Sequence, residues 1–110
     1  MAKALSLIGI SGSRVGDSTL FTERSTLIGS DARCDVVMHD RQIFPRHAEL
    51  RVALGRWFIL PLDPKALIFV NGTPVSGQQR IDEGDLVTLG TVTFKAMIGE
   101  TERAVGSTQP

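Results

Sequence analysis

The chain has little cysteine, no excess charge and no long apolar run. Cys34 is its only cysteine. That excludes an internal disulfide and a multi-cysteine metal site, and it suits the reducing cytoplasm. Twelve basic residues balance twelve acidic ones. Net charge therefore gives no reason to expect nucleic acid or a membrane as a partner. No apolar stretch approaches the ~20 residues needed to cross a bilayer. Ser6 and Gly9 interrupt the apolar start, so it is read as a first strand rather than a signal peptide. A helical apolar stripe is missing throughout. The Gly-rich phosphate loop, the Gly-x-Ser-x-Gly elbow and the His-Glu-x-x-His pair are also missing, so no enzyme, catalytic residue or cofactor is expected. His39 and His47 lack cysteine or carboxylate neighbours at ligand spacing, so no metal is expected either.

What is present reads as one soluble domain. The chain has 110 residues, 42% apolar and 22% charged, enough to bury a core without staples. Short apolar or alternating stretches recur between turn signals. Strands are expected near residues 5–10, 19–22, 25–28, 34–38, 48–53, 56–62, 67–70, 73–75, 86–89 and 92–98. Residues 12–17, 29–33, 39–45 and 77–84 read as loops, and Asn71-Gly72 as a hairpin turn. Trp57 and Ile59 alternate with Phe58 and Leu60, so both faces of that strand are apolar and it should be central or covered. The pattern is all-β: an antiparallel β-sandwich of about ten to eleven short strands. It fills residues 1–98. Residues 99–110 lose their apolar content and read as a tail or linker.

The stretch from Cys34 to Leu50, CDVVMHDRQIFPRHAEL, organises the rest. Ile28-Gly29-Ser30 precedes it. Phe44-Pro45-Arg46-His47 lies within it, and Phe69-Val70-Asn71-Gly72 follows. The chain then closes on Ile81-Asp82-Glu83-Gly84-Asp85-Leu86-Val87-Thr88-Leu89-Gly90. In order and spacing these segments resemble a forkhead-associated (FHA) domain, a phosphothreonine-peptide reader. The likeness runs from about Leu5 to Ile98. It keeps the scaffold positions Gly29, His47, Gly72, Gly84 and Asp85, and it implies that His47 braces a loop by hydrogen bonding. It does not keep the phosphate chemistry. Ser30 stands where the family has arginine, and Phe44 where it has serine.

A phosphate dianion needs aimed donors, best of all the fork of an arginine. Phe44, Pro45 and Ala66 have no side-chain donor, and Ser30 has no charge. Each lost charge-assisted bond costs roughly 1.5–3 kcal/mol. The expected function is therefore a scaffold or regulatory protein–protein interaction module with a degenerate phosphothreonine site. Its binding edge would hold Ser30, Arg33, Phe44, Arg46, Lys65 and Asn71. Two other readings remain open. Arg33, Arg46 and Lys65 could form a rewired basic site for phosphopeptides, unless Asp31, Asp35, Asp40 or Asp63 pair with such cations. Ile43, Phe44 and Pro45 could form an apolar knob for self-association, or Phe44 could fold inward as a plug.

Overall fold

The computed structural model describes residues 3–22 and 25–100. Eleven strands form two sheets: β1 (Lys3–Ser11), β2 (Ser18–Phe21), β3 (Ser25–Gly29), β4 (Val36–Val37), β5 (Ala48–Ala53), β6 (Arg56–Pro61), β7 (Ile68–Val70), β8 (Thr73–Pro74), β9 (Gln79–Ile81), β10 (Leu86–Leu89) and β11 (Val92–Glu100). The first sheet runs β2-β1-β11-β10-β7-β8, and the second β4-β3-β5-β6-β9. No helix lies among the described residues.

Alternation decides which side chains meet between the sheets. Along β1, Leu5 and Leu7 are buried while Ser6 and Ile8 are half-covered. Along β10 and β11, Val87, Leu89, Val92, Phe94 and Ala96 point inward. The second sheet answers with Ile28, Leu50, Trp57, Ile59 and Ile81. This is the period-two burial of two sheets packed face to face. β6 is central, as expected, between β5 and β9. Its outer face is not covered, however: Phe58 and Leu60 remain half-exposed.

Several expectations are corrected. The strand expected at residues 34–38 shrinks to Val36–Val37, because only those residues pair with β3. That pairing is parallel, the one exception to the antiparallel order among the described strand pairs. The loop expected at residues 77–84 contains β9, which pairs Ile81 with Trp57. β11 continues through Gly99 and Glu100, beyond the expected boundary at residue 98. The rest of the expected tail, 101–110, lies outside the described residues.

Two tight turns use left-handed backbone. Asn71 and Gly72 have φ of 53° and 83°, as a two-residue hairpin demands. Leu54 and Gly55 do the same between β5 and β6, at 53° and 76°.

Leu50 is fully buried between the sheets. Leu50→Ala is expected to lower the unfolding free energy by about 2–5 kcal/mol. A urea melt followed by Trp57 fluorescence measures it as a lower midpoint at unchanged slope.

Candidate functional site

Three loops meet at one end of the sandwich: residues 30–35 after β3, 38–47 before β5, and 62–67 after β6. The β10–β11 turn at Gly90 packs beneath the second of them, with its α-carbon facing the Gln42 carbonyl and the Ile43 side chain.

The first two loops are stitched together by backbone. Ser30 N–H donates to the Phe44 carbonyl at 3.0 Å, and Asp31 N–H to the Pro45 carbonyl at 3.2 Å. Met38 N–H reaches back to the Gly29 carbonyl at 2.8 Å. The Cys34 thiol also donates to the Pro45 carbonyl, at 3.2 Å, and burial pushes its pKa up. Such closeness explains Gly29. A Cβ there would lie 2.1 Å from the Pro45 oxygen, so any larger residue would force the loops apart.

His47 fastens the second loop to the third. It is completely buried. The Phe44 N–H donates to Nδ1 at 3.2 Å, so Nε2 carries the proton and donates to the Leu67 carbonyl at 2.9 Å. Gly90 N–H donates to the same carbonyl at 3.0 Å. One oxygen thus ties three segments. The ring of Phe44 stands 6.0 Å from that of His47, tilted by 46°.

The candidate binding residues divide. Ser30 is half-buried, with its N–H consumed. Arg33 is bound to Asp31 by a 2.9 Å contact, and Asp31 also accepts the Arg33 N–H. These bonds hold the Asp31 carboxyl down at about 2. Phe44 is half-buried against His47, and Ile43 points into the core. Of the two open readings, an apolar knob of Ile43, Phe44 and Pro45 or an inward Phe44, the first is left with only Phe44 and Pro45 at the surface, since Ile43 is buried. Arg46 and Lys65 are exposed and make no side-chain ion pair among the described residues. Of the acids expected to neutralise this edge, Asp63 accepts the backbone N–H of Lys65, and Asp35 that of Leu27.

Asn71 lies apart from the other candidates. It follows β7, whereas the 62–67 loop precedes it, so the strand holds it away from the loop edge. Its side chain is also committed. Nδ2 donates to Asp85 at 3.0 Å, and Oδ1 accepts from Leu86 N–H at 2.9 Å. Asp85 in turn accepts the Asp82 N–H. Gly72 and Gly84 sit in turns at φ of 83° and 86°. This end is a scaffold lock.

Sequence reasoning missed Arg14. From the β1–β2 loop it donates to the Val37 carbonyl at 3.1 Å and contacts Asp40 at 3.4 Å, pinning the 38–47 loop from the other sheet. Its local pattern, a charge in a Gly/Ser-rich loop, gives no sign of this. Among the described residues, no group of three or more His, Cys, Asp or Glu is placed to hold a metal.

Residues 9–98 match the model of the family described as the inner membrane component of T3SS, cytoplasmic domain. The chain belongs to that family. Within it, the present member has the FHA fold. It is similar to the FHA domain of the CT664 protein from Chlamydia trachomatis, at 23% identity and TM-score 0.76, covering 86% of this chain and 96% of that one. An FHA domain of an Arabidopsis thaliana hypothetical protein gives 20% identity and TM-score 0.78, over 90% and 86%. Mycobacterium tuberculosis EmbR, solved with a low affinity phosphopeptide, gives 19% and 0.79, over 91% of this chain and 25% of that one. No curated protein sequence matches the chain. Among the described residues of this T3SS-family domain, no helix is long and apolar enough to cross a membrane.

Two outcomes check this site. His47→Ala strands the Phe44 N–H and removes one of the two donors to Leu67, so a stability loss of about 2–4 kcal/mol is expected by chemical denaturation. The depressed Asp31 value has a defined sign. Its contribution to stability is present above the ordinary aspartate range and is lost as pH falls through about 2. A carboxyl NMR titration should place the Asp31 midpoint near about 2, rising toward the ordinary value in Arg33→Ala.

Proposed function

We propose that this chain is a non-catalytic protein–protein interaction module of a T3SS inner-membrane component, working on the cytoplasmic side without reading phosphothreonine. The family match supports the setting. The commitment of the donors at the loop edge supports the mode. The N–H groups of Ser30 and Asp31 are spent on the Phe44 and Pro45 carbonyls, and the Arg33 fork is spent on Asp31. Among the described residues, the cations left in these loops without a side-chain ion pair are the exposed Arg41, Arg46 and Lys65.

The same edge offers a different chemistry. Leu62, Pro64 and Leu67 are exposed on the 62–67 loop, and Pro45 is exposed on the 38–47 loop, whose His47 carbonyl accepts the Leu62 N–H. With Arg46 and Lys65 they make an apolar rim carrying positive charge. It suits the surface of a folded protein with apolar and acidic groups. His47 and Gly29 then serve the module by holding the rim in shape.

NMR titration of the labelled chain with a mixed phosphothreonine-peptide library, against the same library unphosphorylated, tests the proposal. No phosphate-dependent shift is expected at ligand concentrations up to about 1 mM, the weak end of measurable affinity. Shifts seen only with phosphate, and centred on Ser30, Arg46 and Lys65, would replace this reading with a rebuilt basic reader.

A further inference from the structure

Asn71 is the only asparagine in the chain, and the residue after it is Gly72. That pair carries a chemistry of its own. A backbone amide that has given its proton to hydroxide is a nucleophile for the side-chain carbonyl carbon of the asparagine before it. Glycine permits the approach best, because it has no Cβ in the way. In the step, the Gly72 nitrogen bonds to Cγ of Asn71, and the bond from Cγ to Nδ2 breaks. Nδ2 leaves as ammonia, taking a proton from water and returning the hydroxide. One water then opens the five-membered imide at either carbonyl, leaving aspartate or isoaspartate. The sum is one water gained and one ammonia lost, with no change of oxidation state.

The turn is open to this reaction. Asn71 and Gly72 are both exposed. Outside its chain neighbours, no heavy atom lies within 4 Å of where a Cβ on Gly72 would stand. Among the described residues, no backbone carbonyl takes up the Gly72 N–H. What holds the reaction back is the Asn71 side chain itself. Nδ2 is tied to Asp85 at 3.0 Å, and Oδ1 to the Leu86 N–H at 2.9 Å. Rotation of the amide brings Cγ to the next nitrogen, and an amide bonded at both ends does not rotate freely. Asp85 is not free to follow it. Its other carboxylate oxygen accepts the Asp82 N–H at 2.8 Å, and its carbonyl accepts the Ala96 N–H at 2.8 Å.

We propose that Asn71 is a self-modification site gated by the Asp85 lock. The closed lock keeps the amide intact, and each local opening exposes it to attack by Gly72. The rate then follows the population of the open turn rather than that of the unfolded chain. Conversion runs one way and undoes the lock that restrained it. Aspartate at this position has no proton to give Asp85 when ionised, so two carboxylates face each other where a 3.0 Å donor bond stood. Isoaspartate also lengthens the main chain by one carbon, in a turn whose two residues sit at φ of 53° and 83°. Either product loosens β7 from β10 and adds a negative charge to a chain whose charges balance. None of this depends on the loop edge assigned above.

The test is incubation of the full chain at mildly alkaline pH, in buffer and in urea. Conversion is read by intact mass, and by a peptide map that separates aspartyl from isoaspartyl products and Asn71 from the glutamines. The native chain is expected to convert at least ~10-fold more slowly than the unfolded one, and Asp85→Ala to speed the native rate about 10-fold, the order of one charge-assisted bond. Leu50→Ala weakens the core without touching the turn, and should convert like the parent while folded. If Asp85→Ala does not fold, Asp85→Glu displaces the acceptor by one methylene and should also speed conversion. Asn71→Asp, which mimics one product, should melt at a lower urea concentration than the parent. A native chain that converts as fast as the unfolded one overturns the proposal, and so does a chain left intact even in urea. A folded Asp85 variant no faster than the parent overturns the gate, as does a Leu50→Ala chain that speeds up as much. An unchanged midpoint in Asn71→Asp overturns the claim that conversion undoes the lock.

Discussion

Everything at the loop edge depends on one buried imidazole holding two backbone groups. His47 receives the Phe44 N–H on one nitrogen and gives its proton to the Leu67 carbonyl from the other. A buried unpaired amide or carbonyl costs about 1–3 kcal/mol, so each loop is held at a geometry it would not keep alone. Because Leu67 also accepts from Gly90, the bond carries through to the β10–β11 turn and the first sheet. Phosphate recognition plays no part in this. The brace uses the His47 ring and backbone groups alone.

Much of the fold was legible because alternation and turn chemistry are local. Leu50 and Trp57 follow from the period of two, and Asn71-Gly72 from the demand for positive φ. What failed was set by pairing partners. β9 was hidden because Gln79 and Arg80 are polar, and Ile81 alone faces the core. Val36 and Val37 read as part of a longer strand, but a strand ends where its neighbour ends, and β3 stops at Gly29. At the site, the roles of Gly29 and His47 came through the family likeness, and their atomic reasons came only with the folded loops. The places of Ile43 and Asn71 were not legible, for a shared reason. Both are defined by direction: Ile43 turns inward, and the Asn71 amide turns toward Asp85. Direction in a loop is fixed by residues distant in sequence. Arg14 was illegible for the same cause.

The edges of the sandwich constrain how it can meet other proteins. β4 and β8 are two residues long, β9 is three and β2 is four. Pro74 sits in β8 and Arg80 in β9. Short edges bearing proline or charge discourage addition of a foreign strand. Contacts are thereby directed to the loop rim and to the sheet faces. Of the two faces, one carries paired charges such as Arg51 with Glu49, and the other carries almost none.

The Cys34 thiol lies under the joint between the first two loops, bonded to the Pro45 carbonyl and buried. The thiolate is the nucleophile that attacks a thiol reagent, and burial disfavours it by pushing the Cys34 pKa up. Alkylation of the native chain must therefore wait for the 30–35 loop to lift off residues 44 and 45. When reclosure is faster than the reagent, the labelling rate scales with the population of that open state, as hydrogen exchange does. The chain's only cysteine is thus a chemical clock for the opening of this loop edge, readable by mass without any added probe site.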